Sequence, residues 1–242
     1  MRYDRRLGRV LAWIAAIIAP ILPTAAVAGP PFVTDDPVPT DPHKWEIYNF
    51  ATGAREFGVT SADMGVDLNY GPAKDVQLTT TLPMHVETGA PLGAGDVELA
   101  VKYRFLHQHE DTASADVAFF PRVFLPTGRG SRRAQVLLPV WAQRDFGPWS
   151  IFGGGGYLIN PGVGQRNAWQ QGVVVTRQMR PGFQFGIEYY GHGRSSDDDR
   201  AVHGVNLATI IHITGPFSLL TSAGQGLNRK QTIFYTALKL DL

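Results

Sequence analysis

Gly95-Asp96-Val97-Glu98-Leu99-Ala100-Val101-Lys102-Tyr103-Arg104-Phe105 alternates apolar and polar residues without a break, over about the length a tilted strand needs to cross a bilayer. Val97, Leu99, Val101, Tyr103 and Phe105 share one face, and Asp96, Glu98, Ala100, Lys102 and Arg104 share the other, because successive side chains of a strand point to opposite sides. Four charges on one face demand water; the other face demands an apolar medium. In a soluble sandwich that medium is a protein core. In an outer-membrane barrel it is lipid, with the charges turned into a wet lumen.

The surrounding chain favours the second reading. Period-two runs recur at 45–52, 64–70, 76–82, 96–105, 115–125, 134–143, 149–159, 168–178, 183–190, 202–213, 217–223 and 233–242. They make about twelve candidate strands, with ten as the other count, and an even number suits a single-chain bacterial barrel. Gly71-Pro72, Gly147-Pro148, Pro181-Gly182 and Gly215-Pro216 supply tight turns at even-numbered connections. The odd-numbered connections, 53–63, 83–95, 126–133, 160–167, 191–200 and 224–231, are longer and more polar. Only the fourth connection, 107–114, breaks that alternation of short turns and long loops. A soluble sandwich has no reason to keep such parity. The last strand carries Phe234, Thr236, Leu238, Leu240 and Leu242 on one face, an apolar end resembling the signal read by the barrel-assembly machinery. Tyr70, Tyr103, Trp149, Tyr157 and Tyr189 sit where interfacial girdles are expected. The faces of the strands around Trp45 and around Gln170-Gln171 are not decided by pattern.

The N-terminus places this fold outside the cytoplasm. Arg2, Arg5, Arg6 and Arg9 precede an apolar run over 10–22, and Ala26-Val27-Ala28 offers a small-x-small cleavage pattern, so residues 1–28 are expected to be a secretory signal peptide. Its removal takes four arginines and Asp4, leaving 18 basic and 20 acidic side chains and a net charge of −2 on the mature chain. No basic patch remains for nucleic acid, and the absence of cysteine excludes thiol catalysis and Cys-ligated metals. With 27 glycines and 17 prolines, the mature chain reads as one all-β domain: a proline-rich arm over 29–44, either a periplasmic tail or a lumen plug, followed by an antiparallel transmembrane β-barrel over 45–242.

The alternation also assigns an inward set: Asp67, Asp96, Glu98, Lys102, Arg104, Asp116, Arg122, Glu188, Lys239 and Asp241. A hairpin centred near Glu110 places Arg104 opposite Asp116, Glu98 opposite Arg122, Val97 opposite Val123 and Val101 opposite Phe119. Such a nearly balanced set is expected to pair across the lumen and narrow it to a small pore with weak ion preference. Asp35 and Asp36 of the arm are candidate partners for Arg104 or Arg122.

Several motifs in order strengthen this picture. Pro31-Phe32-Val33-Thr34-Asp35-Asp36-Pro37, Asp67-Leu68-Asn69-Tyr70-Gly71, Gly95-Asp96-Val97-Glu98-Leu99 with Lys102-Tyr103, Pro126-Thr127-Gly128, and Phe152-Gly153-Gly154-Gly155-Gly156-Tyr157 with Ile159-Asn160-Pro161-Gly162 resemble the "MetA-pathway of phenol degradation" family of outer-membrane transporters. The resemblance spans nearly the whole mature chain. It implies an outer-membrane barrel, associated in some members with catabolism of aromatic compounds, and brings no catalytic residues.

Other chemistry-bearing clusters have simpler readings. Gly153 to Gly156 lack the Lys-Ser/Thr of a phosphate loop and more plausibly let the wall bend or let another backbone, such as the arm, approach. His107, His109 and Asp111 have ligand-like spacing but no third fixed ligand, so a solvated turn is expected and no metal or cofactor. His192, Ser195, Ser196 and Asp197 are triad residue types crowded into one loop; Asp197 to Asp199 with Arg194 and Arg200 also suit divalent ions or lipopolysaccharide head groups. The expected function is a passive, non-enzymatic outer-membrane channel for small, hydrophobic or aromatic molecules. Its expected partners are membrane lipid, lipopolysaccharide, the assembly machinery and solutes. A small barrel enzyme acting on lipids or peptides, and a sealed structural barrel, are the alternatives.

Overall fold

The computed structural model describes residues 31–109, 112–128 and 133–242; the expected signal peptide and its cleavage site lie outside them. The strands are β1 (Trp45–Glu56), β2 (Val59–Ala73), β3 (Val76–Glu87), β4 (Gly93–Ala94), β5 (Val97–Leu106), β6 (Asp116–Phe119), β7 (Arg122–Leu125), β8 (Gln135–Phe146), β9 (Trp149–Ile159), β10 (Ala168–Arg180), β11 (Phe183–His192), β12 (Val202–Thr214), β13 (Phe217–Gly226) and β14 (Gln231–Asp241). β4 is a stub leading into β5. β6 and β7 are halves of one strand, interrupted at Phe120 and Pro121, where proline has no N–H for the ladder. Both halves pair with β5 on one side and β8 on the other.

Counted this way, twelve antiparallel strands close into a barrel. β1 pairs with β2 and, from Glu46↔Asp241 to Glu56↔Gln231, with β14. Trp45 and Leu242 exchange both N–H···O bonds at 2.9 Å, zipping the seam at the end that carries the short turns. No strand edge is left for another chain, as lipid requires.

Alternation sorts the wall into two media. Val97, Leu99, Val101, Tyr103 and Phe105 face outward and Ala100 and Lys102 are buried inside. The same holds for Phe234, Thr236, Leu238 and Leu240 against the inward Ala237 and Lys239. In the two undecided strands, Trp45 and Gln171 face outward while Tyr48 and Gln170 face inward. Outward apolar side chains ring the barrel, far beyond the few hundred Å² of apolar patch that a soluble monomer exposes. Aromatic pairs mark both edges of this belt: Trp45 with Tyr70 (4.6 Å) at the short-turn end, and Tyr157 with Trp169 (5.0 Å) at the other.

The structure corrects three sequence expectations. The long first loop over 53–63 is instead a two-residue turn at Phe57 and Gly58, both at positive φ; polar residues there belong to the paired ends of β1 and β2. Gly71-Pro72 is not a turn but the end of β2, and the chain reverses at Lys74 and Asp75. The β5 hairpin register is two residues from the expected one: Glu98 faces Phe124, Val97 faces Leu125 and Ala100 faces Arg122. A register shift between Arg104 and Leu106 makes the hairpin asymmetric about Glu110. An even slip keeps every side chain on its face, so Arg104–Asp116 (3.6 Å) and Arg122–Glu98 (3.5 Å) form as diagonal pairs.

Candidate functional site

Residues 31–44 thread the lumen, with Thr34, Asp36, Pro37, Pro39 and Thr40 buried. An extended, proline-rich segment has unpaired backbone groups, and inward side chains of the wall satisfy them. Glu188, fully buried on β11, accepts from the N–H of Val33 (3.0 Å) and Thr34 (2.6 Å), and from Asn206 Nδ2 (3.0 Å). Ser222 Oγ donates to the Pro31 carbonyl (2.8 Å), and Thr40 N–H donates to Gln77 Oε1 (2.8 Å). Phe32 packs edge-on against Phe152, 5.7 Å between centroids, over Val174. His43 N–H to the Gly71 carbonyl (2.7 Å) then ties the arm to the short-turn rim.

Glycines make room for this path, though not those of the Gly153–Gly156 run. A methyl on Gly154 or Gly156 would strike the backbone of Val140 or Pro139 on the neighbouring strand, not the arm. Inward-facing Gly172 and Gly186 are the ones under the arm. A Cβ there would overlap the Thr34 hydroxyl and the Phe32 ring. An inward glycine amid larger inward residues is the sequence signal for such an approach.

At mid-arm the charges meet. Asp35 pairs with Lys102 (3.0 Å) and with Arg122, and Asp36 lies 3.9 Å from Lys102. Lys102 and Arg122 both lie over the Phe120 ring, at 4.7 and 4.2 Å. Arg104, the other candidate, does not reach the arm; it binds Asp75 at 2.8 Å. Of the remaining inward set, Asp67 accepts from Thr81 (3.3 Å), Asp96 accepts from the Gly128 amide (2.8 Å), and Lys239 joins Asp241 (2.9 Å) to Glu46 (3.2 Å). Glu46 and Gln77 lie at strand starts and Asp75 in the β2–β3 turn, where alternation is too short to assign an inward face.

Beside the arm lies a cavity of about 250 Å³ lined by Tyr48, Phe50, Phe120 and Tyr235 with Asp67 and Glu98 among its polar groups. A second, of about 610 Å³, opens toward the long-loop end between β1–β3 and β5. They share Phe50, Thr52, Thr81 and Glu98 as lining, so the two cavities adjoin, one reaching Glu46 in β1 beside the arm and the other the long-loop end.

The other candidates hold different partners. His107 faces Asp75 (3.1 Å) and Asp116 (3.9 Å); Asp111 lies outside the described residues, and among those described no cluster is arranged to hold a metal. His192 Nδ1 meets the Gly193 carbonyl (3.1 Å), whereas Ser195 Oγ donates to Asp199 (3.2 Å), so base and hydroxyl are not joined. Asp197 pairs with Arg166 (2.5 Å). Arg229 bridges Asp199 (3.1 Å) and Glu56, stapling the loop after β11 to the rim of β1. Hydrogen bonding to Glu56 leads the causes that raise the Arg229 pKa. Burial alone would raise the Asp199 carboxyl, but donors from Arg200, Arg229 and Ser195 outweigh it and hold it below 3.8.

An apolar exterior, a charged lumen and a closed seam define an outer-membrane-type β-barrel. No protein-family model and no curated relative matches the sequence. Among solved structures, the chain is similar to an outer membrane channel from Pseudomonas putida F1, with a TM-score of 0.68 and 15% identity over 89% of this chain and 100% of that one. It is also similar to NanC porin (TM-score 0.58, 10% identity, 82% of this chain and 100% of that one) and to the translocator domain of the autotransporter NalP from Neisseria meningitidis (0.52, 9%, 98% and 94%). At these identities the likeness shows the fold.

Proposed function

We propose that the chain is a passive outer-membrane channel for small molecules, exported through its signal peptide and working by diffusion without chemistry. The two adjoining cavities between the arm and the wall of β1 to β5 carry this reading, and the names of the similar channel and porin agree with it. The aromatic side chains along the inner cavity suit small hydrophobic or aromatic solutes, in line with the phenol-degradation resemblance. The separate partners of His192 and Ser195 favour the channel reading over a triad built on that pair. Single-channel recording of the purified protein in planar bilayers is the test. Small, steady conductance steps and liposome uptake of phenol-sized solutes are expected; neither signal, with or without the arm, would overturn the reading.

A further inference from the structure

On that channel reading, we infer that the passage beside the arm selects cations over anions and admits small organic ammonium ions in preference to carboxylates. Strands alone give an inward set near balance, but the passage is lined by the arm and one side of the barrel, and that lining is acidic. In its outer part Asp63, Glu87, Asp96 and Glu98 line the space with His85, which meets Asp63 at 2.8 Å, and its described lining holds no lysine or arginine. In its inner part Asp35, Asp36, Glu46, Asp67 and Glu98 line the space with Lys102 and Arg122, and Lys239 behind the lining holds Glu46 at 3.2 Å, leaving five acids to three bases.

The two lining cations are already engaged. Lys102 is held by Asp35 and Asp36, Arg122 by Asp35 and Glu98, and both rest on Phe120. Asp67 makes no close ion pair among the described residues; it accepts from the Thr81 hydroxyl and lies beside Asn69, with Arg122 further off. The aromatic lining works in the same direction. Phe50, Tyr48 and Tyr235 border the cavity, and ring faces attract ammonium groups and repel carboxylates. A narrow passage with one sign of charge and low-dielectric walls concentrates counter-ions and expels co-ions.

The test is the reversal potential of the full-length mature protein in planar bilayers under a KCl gradient, repeated with tetramethylammonium chloride. Potassium is expected to permeate about tenfold better than chloride, and tetramethylammonium to carry current in its place. Asp67→Asn should lower the ratio severalfold toward unity. The double variant Asp63→Asn/Glu87→Gln, at the mouth and away from the arm, should lower it independently if the Asp67 variant does not assemble. Conductance with no cation preference, or with anion preference, overturns the inference and leaves the channel reading standing. Absence of conductance in every variant, including one lacking the arm, overturns both.

Discussion

The two halves of the barrel use the same alternating strand pattern to opposite ends. From β8 to β13 the lumen is filled: Trp141, Gln143, Phe152, Val174, Glu188, Tyr190 and Asn206 are essentially without solvent contact, and the first residues of the arm lie across them. From β14 through β1 to β5 the inward side chains touch the arm at few points, chiefly Gln77 and Lys102, and leave two adjoining cavities. The difference shows that the passage is not set by strand number. It is set by how the arm is docked, through Glu188 and the room left by Gly172 and Gly186 on the filled side and through Lys102, Arg122 and Gln77 on the other.

Deleting residues 31–41 should break the contrast most severely. The wall's ladders do not involve those residues, so the barrel is expected to assemble and conductance to rise several-fold in bilayer recordings. Cation preference should fall with it, because Lys102 and Arg122 lose Asp35 and Asp36. Unchanged conductance would place the rate-limiting constriction elsewhere. Glu188→Ala is the point version. It orphans the buried Thr34 amide and Asn206 Nδ2 and breaks the half-buried bond of the Val33 amide, at about 1–3 kcal/mol for each buried donor left unpaired. The arm should become cleavable by added protease in the folded barrel while Glu98→Gln, on the open half, leaves it protected.

Val101→Arg tests the outside of the open half. Val101 is exposed between Leu99 and Tyr103, and an arginine facing mid-bilayer costs about 2–4 kcal/mol. Refolding into lipid vesicles, followed by urea titration, should show that loss. A neutral outcome would mean the strand is inside out.

Alternation over 95–105 was enough to assign both faces, because an error of two residues in register does not move a side chain across the wall. The same error hid which residues touch: Arg122 lies opposite Ala100 and reaches Glu98 diagonally. Turn composition misled at 53–63, where glycine and charged residues lie in the paired ends of β1 and β2. The arm's acid residues pointed toward a lumen partner, yet the Glu188 contact was not legible, because a backbone amide leaves no mark in sequence. Gly172 and Gly186 were legible in principle, and the longer Gly153–Gly156 run drew the attention instead.

The smallest effect expected is at the rim that joins the two halves. Arg229 links Glu56 on β1 to Asp199 in the loop after β11, and its partly exposed position limits the pair to about 1 kcal/mol. Arg229→Ala should therefore lower the thermal midpoint only slightly and leave conductance unchanged. The pH dependence gives the sharper reading. Asp199 is held below its ordinary value of 3.8 in the folded barrel, so the unfolded chain takes up the proton first on acidification. Its contribution is complete above 3.8 and is lost as pH falls through the lower folded value. The difference in melting temperature between wild type and Arg229→Ala should thus shrink in that acid range. A difference that grew there would mean the staple is not what holds the loop over the seam.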